Sequence, residues 1–163
     1  MFRNFIFRIS FFTFALFLTG CGNKVLLDEE HTFSNNTWSR FSPETFDVAI
    51  GNADKYYHID YTVTFDTGLY RYDKLPLVVD IHGEDGTHRH MGPTITLREN
   101  GRWKGEMEGP YRTVKARVYN FFTFNQPGTY SYQVKQGTSQ YDLEGIHAIR
   151  ITMEEARLEY ERL

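Results

Sequence analysis

Tyr57-His58-Ile59-Asp60-Tyr61-Thr62-Val63-Thr64-Phe65-Asp66 decides the fold class. Tyr57, Ile59, Tyr61, Val63 and Phe65 hold one set of alternate positions, and His58, Asp60, Thr62, Thr64 and Asp66 hold the other. Successive side chains of an extended chain point to opposite faces, so strict alternation predicts a strand with one apolar and one polar face. A helix needs apolar residues three and four apart, and no segment before residue 153 has that period.

Working outward, the same signature recurs. Leu75 to His82 sets Leu77, Val79 and Ile81 against Val78, Asp80 and His82. Pro76 cannot donate to a ladder, so this strand begins near it or lies at an edge. Thr45 to Ile50 precedes the decisive segment. Beyond it, Thr94 to Glu99 places Ile95 and Leu97 inward. Asn100-Gly101 is a two-residue hairpin turn, because both residues accept positive φ. Arg102 to Met107 is the expected return strand, with Trp103 as its anchor. Val114 to Phe124 carries Val114, Ala116 and Val118 on one face. Gln126-Pro127-Gly128 turns the chain into Thr129 to Lys135, with Tyr130, Tyr132 and Val134 on one face. After Gly145, Ile146 to Met153 presents Ile149, Ile151 and Met153. These eight strands predict an all-β, antiparallel β-sandwich of jelly-roll type. An aromatic content of 17% suits it, since large rings fill the space between two sheets.

The N-terminus reads differently. Arg3 and Arg8 form a positive region, and Ile9 to Gly20 follow without a charge. These 12 residues suit the apolar core of a secretory leader. They are too short for a spanning helix, which needs about 20. Leu18-Thr19-Gly20-Cys21 has the form of a lipobox: an aliphatic residue, two small ones, then cysteine. Cleavage between Gly20 and Cys21 would free an amine beside a thiol. The thiol would take a diacylglycerol and the amine an N-acyl chain, two or more chains being what stable anchoring requires. The alternative is a structural cysteine beside an unrelated apolar segment. Cys21 is the only cysteine, which excludes a disulfide within the chain. The expected division is a leader over 1–20, a lipidated cysteine and tether over 21–37, a β-sandwich over 38–153 and a charged tail, helical or disordered, over 154–163. Asp28-Glu29-Glu30 in the tether reads as a solvated stretch or as a sorting cue for the cell surface.

Loss of Arg3 and Arg8 with the leader takes the formal charge from −3 to −5. An acidic domain is a poor partner for nucleic acid or an anionic lipid surface, so the expected membrane attachment is the lipid itself.

Three constellations invite chemistry. His82, His88 and His90 flank Gly83-Glu84-Asp85-Gly86, and three imidazoles across a turn resemble an open zinc site. Their spacing fits no closed structural zinc pattern, so no metal is assigned and a polar hairpin tip is the alternative. Glu106 and Glu108 share one side of a strand, as a glycosidase pair does; solvated edge acids have the same spacing. No nucleophile elbow, phosphate loop or dinucleotide fingerprint is present, and no cofactor is expected. Tyr70, Tyr72, Trp103 and Tyr111 are candidate contacts for a ligand or a partner. Lining an open groove, they would suit a carbohydrate; buried or on a flat patch, they would suit a protein interface.

The order of features carries a resemblance. Cys21 after a lipobox is followed by Trp38, Thr45-Phe46-Asp47-Val48 and Tyr57. Then come Tyr70-Arg71-Tyr72, Leu75-Pro76-Leu77 and Gly101-Arg102-Trp103-Lys104-Gly105. Phe124-Asn125-Gln126-Pro127-Gly128-Thr129-Tyr130 and Leu143-Glu144-Gly145-Ile146 close the series. This ordered set, over most of residues 21–153, resembles the gliding-motility lipoproteins of the GldH type. The charged pair Asp73-Lys74 departs from the pattern. The resemblance implies a non-enzymatic envelope lipoprotein of the Bacteroidota, associated in gliding members with the motility apparatus and its linked secretion machinery. It implies protein partners in an envelope complex. The residue after Cys21 is not acidic, which agrees with an outer-membrane location; it does not say which face.

Overall fold

The computed structural model describes residues 24–156. Gly20, Cys21 and the rest of the expected leader, together with residues 157–163 of the expected tail, lie outside the described residues. Fourteen strands occur among those described: β1 (Val25–Thr32), β2 (Thr37–Ser39), β3 (Glu44–Ile50), β4 (Tyr57–Asp66), β5 (Lys74–Gly83), β6 (His88–Met91), β7 (Thr94–Thr96), β8 (Arg98–Glu99), β9 (Arg102–Trp103), β10 (Glu106–Glu108), β11 (Tyr111–Phe122), β12 (Gly128–Gln136), β13 (Asp142–Glu144) and β14 (Ile146–Glu155). A single 3-10 turn, Ser34–Asn36, separates β1 from β2.

Sheet one has the order β1-β14-β4-β11-β10, and sheet two the order β3-β12-β5-β6, with β7 paired to the start of β5. Every pairing is antiparallel. The eight principal strands in chain order are β1, β3, β4, β5, β6, β11, β12 and β14. The first pairs with the eighth, the second with the seventh, the third with the sixth and the fourth with the fifth. That is one long antiparallel hairpin rolled into two layers, the jelly-roll arrangement expected from the strand pattern. Its apex is the tight turn from Gly83 to Thr87, where the Asp85 carboxylate accepts the backbone N–H of Thr87 at 2.8 Å.

The decisive strand behaves as its alternation requires. Tyr57, Ile59, Tyr61, Val63 and Phe65 are all fully buried. Ile149, Ile151 and Met153 of β14 lie beside them in sheet one, and Phe46, Val48, Leu77, Val79, Ile81, Tyr132 and Val134 face them from sheet two. Each such side chain contributes about 1.5–3 kcal/mol on burial.

Several expectations need correction. The tether over 21–37 is not a tether throughout: Val25–Thr32 is β1, a full strand whose register with β14 runs from Val25 opposite Glu154 to Thr32 opposite Ala148. Asp28 and Glu30 lie on its exposed face, and Asp28 takes Arg150 at 2.9 Å. The sandwich therefore starts well before Trp38. Glu154 and Glu155 belong to β14 rather than to a tail. Arg102 to Met107 is not one strand, because Gly105 breaks it into β9 and β10. Gly105 has φ +78°, and a Cβ there would stand 2.0 Å from the carbonyl oxygen of Thr113. β5 begins near Pro76 and is no edge strand, since β12 flanks it on one side and β6 and β7 on the other. In β11 Val114 is buried, but Ala116 and Val118 are only half-buried. Two register shifts, between Arg117 and Tyr119 and between Tyr119 and Phe122, bend this strand. Such bulges insert a residue and locally swivel the chain.

The long strands define two ends. At one, Lys24, Tyr57, Glu155 and Phe122 lie in a row across sheet one. At the other, about 33 Å away by strand length, lie β2, β13 and the segments joining β4 to β5 and β12 to β13.

Candidate functional site

The aromatic candidates do not share a groove. Tyr70 is 1% exposed, and its hydroxyl donates to the carbonyl of Lys74 at 3.0 Å. Burial pushes that hydroxyl well above its ordinary pKa. Trp103 is half-buried, packed on Phe65 and Tyr70 and capped by the Arg98 guanidinium 4.7 Å from its ring centre. Tyr111 stacks on His147 at 4.3 Å, with its hydroxyl 3.4 Å from the Asn36 amide. Of the four, only Tyr72 is openly exposed. Core packing takes Tyr70 and most of Trp103, and Tyr111 is held against His147, so the four line no common groove.

The three histidines do come together, on the outer face of sheet two. The β5–β6 register sets His82 opposite His88 and Asp80 opposite His90. His82 and His88 stack at 4.5 Å. Their neighbour is a carboxylate: His90 Nδ1 lies 2.7 Å from Asp80 Oδ1, His88 Nε2 lies 3.5 Å from it, and Lys135 Nζ lies 3.6 Å from Oδ2. His90 above all, with His88 and Lys135, holds the Asp80 carboxyl below its ordinary range. Two of the imidazoles, His88 and His90, are taken by this carboxylate and His82 stacks on His88, and among the described residues no group of three or more His, Cys, Asp and Glu is arranged to hold a metal ion. Glu106 and Glu108 are both exposed on the edge strand β10.

The most strongly held charge was not among the candidates. Asp60 sits on the polar face of β4, yet its side chain is 5% exposed. Arg117 Nε donates to its Oδ1 at 2.7 Å, Arg117 Nη2 to Oδ2 at 3.1 Å, and Lys115 Nζ to Oδ2 at 3.1 Å. Arg117 also reaches Glu154 at 3.1 Å. These contacts cross-link β4, β11 and β14. The Arg117 guanidinium, then the Lys115 ammonium, hold the Asp60 carboxyl below its usual range against the opposing effect of burial. The network lies on the outer face of sheet one and ties its strands together. An open groove of about 600 Å³ runs between β11 and the Gly92–Thr96 segment, lined by Ile95, Val114, Ala116 and Tyr119 with Lys104 at its rim. It holds no carboxylate or histidine for acid–base chemistry.

Among the described residues the exposed large apolar side chains fall mainly into two groups, one at each end, with Met107, 62% exposed on edge strand β10, apart from them. At the far end Phe41 and Tyr141, 72% and 69% exposed, stack with ring centres 5.6 Å apart. Their loops are tied by the Arg40 N–H donating to the Tyr141 carbonyl at 2.8 Å, just beyond the β2–β13 pair. Leu69 and Tyr72, also exposed, line with Gln140 and Asp142 a shallow pocket of about 290 Å³ next to Tyr141. At the near end Val25, Tyr56 and Phe121 are exposed. Sequence reading named only Tyr72 of these residues, because nothing in the strand pattern marks loop residues such as Phe41 and Tyr141. Phe121-Phe122 did carry a signal: two consecutive rings cannot both face one side of a strand.

Among the described residues no helix is long and apolar enough to cross a membrane. No curated protein matches the chain. A family model described as GldH lipoprotein matches residues 25–152, from the first residue of β1 into β14. A match over that much of the chain shows the family, and with it an envelope lipoprotein associated with gliding motility: the chain belongs to the GldH lipoprotein family.

Proposed function

We propose that this protein is a non-enzymatic binding or scaffolding subunit of an envelope complex of the gliding-motility and secretion type, held on the outer membrane by lipid on Cys21. The observation that carries the reading is the far-end aromatic surface. Phe41 and Tyr141 stack in solvent beside Leu69 and Tyr72, while most other large apolar side chains of the sandwich are packed away. Rigid exposed aromatics in a compact patch are what protein interfaces use as anchors. On this reading the lipobox supplies the membrane attachment and the sandwich supplies the contact.

The test is an affinity pull-down of the native lipidated protein after mild crosslinking, for the wild type and for Phe41→Ser/Tyr141→Ser. Recovery of motility or secretion subunits with the wild type, lost in the double variant, is the expected result. Recovery of polysaccharide instead would replace this reading with the carbohydrate-binding one. An unchanged set of partners in the double variant would remove the aromatic patch from the account.

A further inference from the structure

We infer that the near end of the sandwich makes a second, direct contact with the lipid surface, through Val25, Tyr56 and Phe121 flanked by Lys24 and Lys55. The inference rests on acylation of Cys21 as proposed above. Only four residue steps separate Cys21 from Val25, the first residue of β1. Fully extended, they span roughly 14 Å. The sandwich thus cannot stand clear of the bilayer, and the end it brings down is the one from which β1 starts.

Exposed apolar side chains are gathered at that end. Val25 is 53%, Tyr56 39% and Phe121 50% exposed. They lie along one row of sheet one: the Lys24 carbonyl accepts from Glu155, Ala156 donates to the Tyr56 carbonyl, and Phe122 stands opposite Tyr57. Tyr56 and Phe121 meet edge to face at 6.0 Å. From Lys24 to Phe121 is about three strand spacings, or roughly 14 Å. That is comparable to the reach of the linker.

Phe121 is held outward at a cost. Its φ is +56°, a region bulky side chains seldom occupy. A left-handed residue here swings one ring of the Phe121-Phe122 pair to the surface while Phe122 packs inward on Phe124 at 5.2 Å. Such strain persists where the exposed group has a use. Tyrosine and phenylalanine with flanking lysines suit the headgroup layer, where rings reach the acyl boundary and ammoniums meet phosphate. Glu155 lies in the same row and takes Lys55 at 3.9 Å, so Lys24 and Lys55 flank the rings together with a carboxylate. Glu84 and Asp85 lie at the same end in the turn between β5 and β6 of sheet two.

The test uses the full mature protein, lipidated on Cys21, in phosphatidylcholine vesicles with and without brominated acyl chains. Phe121→Trp and, as a second reporter on the same rim, Tyr56→Trp are read against the wild type, whose Trp38 is buried and whose Trp103 is half-buried between its neighbours. Phe41→Trp reports on the far end. Bromine quenching of the added tryptophan by about twofold at positions 121 and 56, and none at position 41, is the expected outcome. Intact mass separates the two ways to fail. Acylated, vesicle-bound protein whose tryptophans at 121 and 56 are both unquenched overturns the inference and leaves the anchor standing. Quenching at 41 in place of 121 overturns it by inverting the orientation. Protein without acyl mass removes the anchor and the inference together.

Discussion

Asp60→Asn tests how the sheet-one strands are cross-linked. The substitution keeps shape and one acceptor oxygen but removes the charge that Arg117 grips through two contacts at 2.7 and 3.1 Å and Lys115 through one at 3.1 Å. Removing one partner of a fully buried ion pair costs about 3–5 kcal/mol. Here only the carboxylate is buried; Arg117 and Lys115 are 37% and 61% exposed and regain water when it goes. That lowers the expected loss to about 2 kcal/mol, close to that of one hydrogen bond to a charged group. For a domain of this size the corresponding fall in Tm is about 4–8 °C. Urea unfolding at pH 7 reads the loss directly. The pH dependence follows from the sign of the shift. The folded carboxyl titrates below its ordinary value, so its contribution is complete above the unfolded value of about 3.9 and drains away as pH falls through the lower folded one. The gap between wild type and Asp60→Asn is therefore flat from neutral pH to about 5 and closes in stronger acid. A gap under about 0.5 kcal/mol at pH 7, or one that widens on acidification, would refute the reasoning.

Three further outcomes follow from substitutions elsewhere in the chain. The Tyr61 and Tyr132 hydroxyls are buried facing each other with no other hydrogen-bond partner among the described residues; the double change to Phe should raise stability by about 1 kcal/mol, and a loss of that size in calorimetry would show an unrecognised partner. Gly145→Ala places a Cβ 2.4 Å from the Tyr70 backbone nitrogen at φ +89°, whereas Gly86→Ala meets open space at φ +81°. The first should cost about 3 kcal/mol or more and the second about 1, a contrast visible in parallel denaturant midpoints. Cys21→Ser should move the protein out of the membrane fraction and leave its mass without acyl chains; retention in the membrane would remove the anchor from the account.

The sequence was most legible where a strand is buried on one face and paired on both sides. Tyr57–Asp66 emerged with its bounds intact, because five core residues and five outward ones leave one register. Asn100 and Gly101 turn with φ of +50° and +74°, as the dipeptide required. β1 escaped notice for a physical reason. It is an edge strand, paired only with β14, and Leu27 is its single fully buried residue. With so little of it covered, alternation has little to record. Tyr70 was misplaced because it enters the core from an irregular segment, through space that Gly145 leaves open. Asp60 reads from sequence as an outward polar residue, and only the register opposite Arg117 reveals its partners. Phe41 and Tyr141 belong to loops, where no period exists to break.

The pairing of β1 with β14 has a mechanical consequence. A lipid on Cys21 would pull at the first residue of β1, and a partner seated on Phe41 and Tyr141 would pull from the opposite end of the sandwich. The load then runs along the axis of β1, and the ladder between Val25 and Thr32 bears it in shear. Bonds sheared in parallel yield together, whereas bonds peeled from one end yield in turn. With the lipid in place, β1 would lie where parallel bonds share the tension.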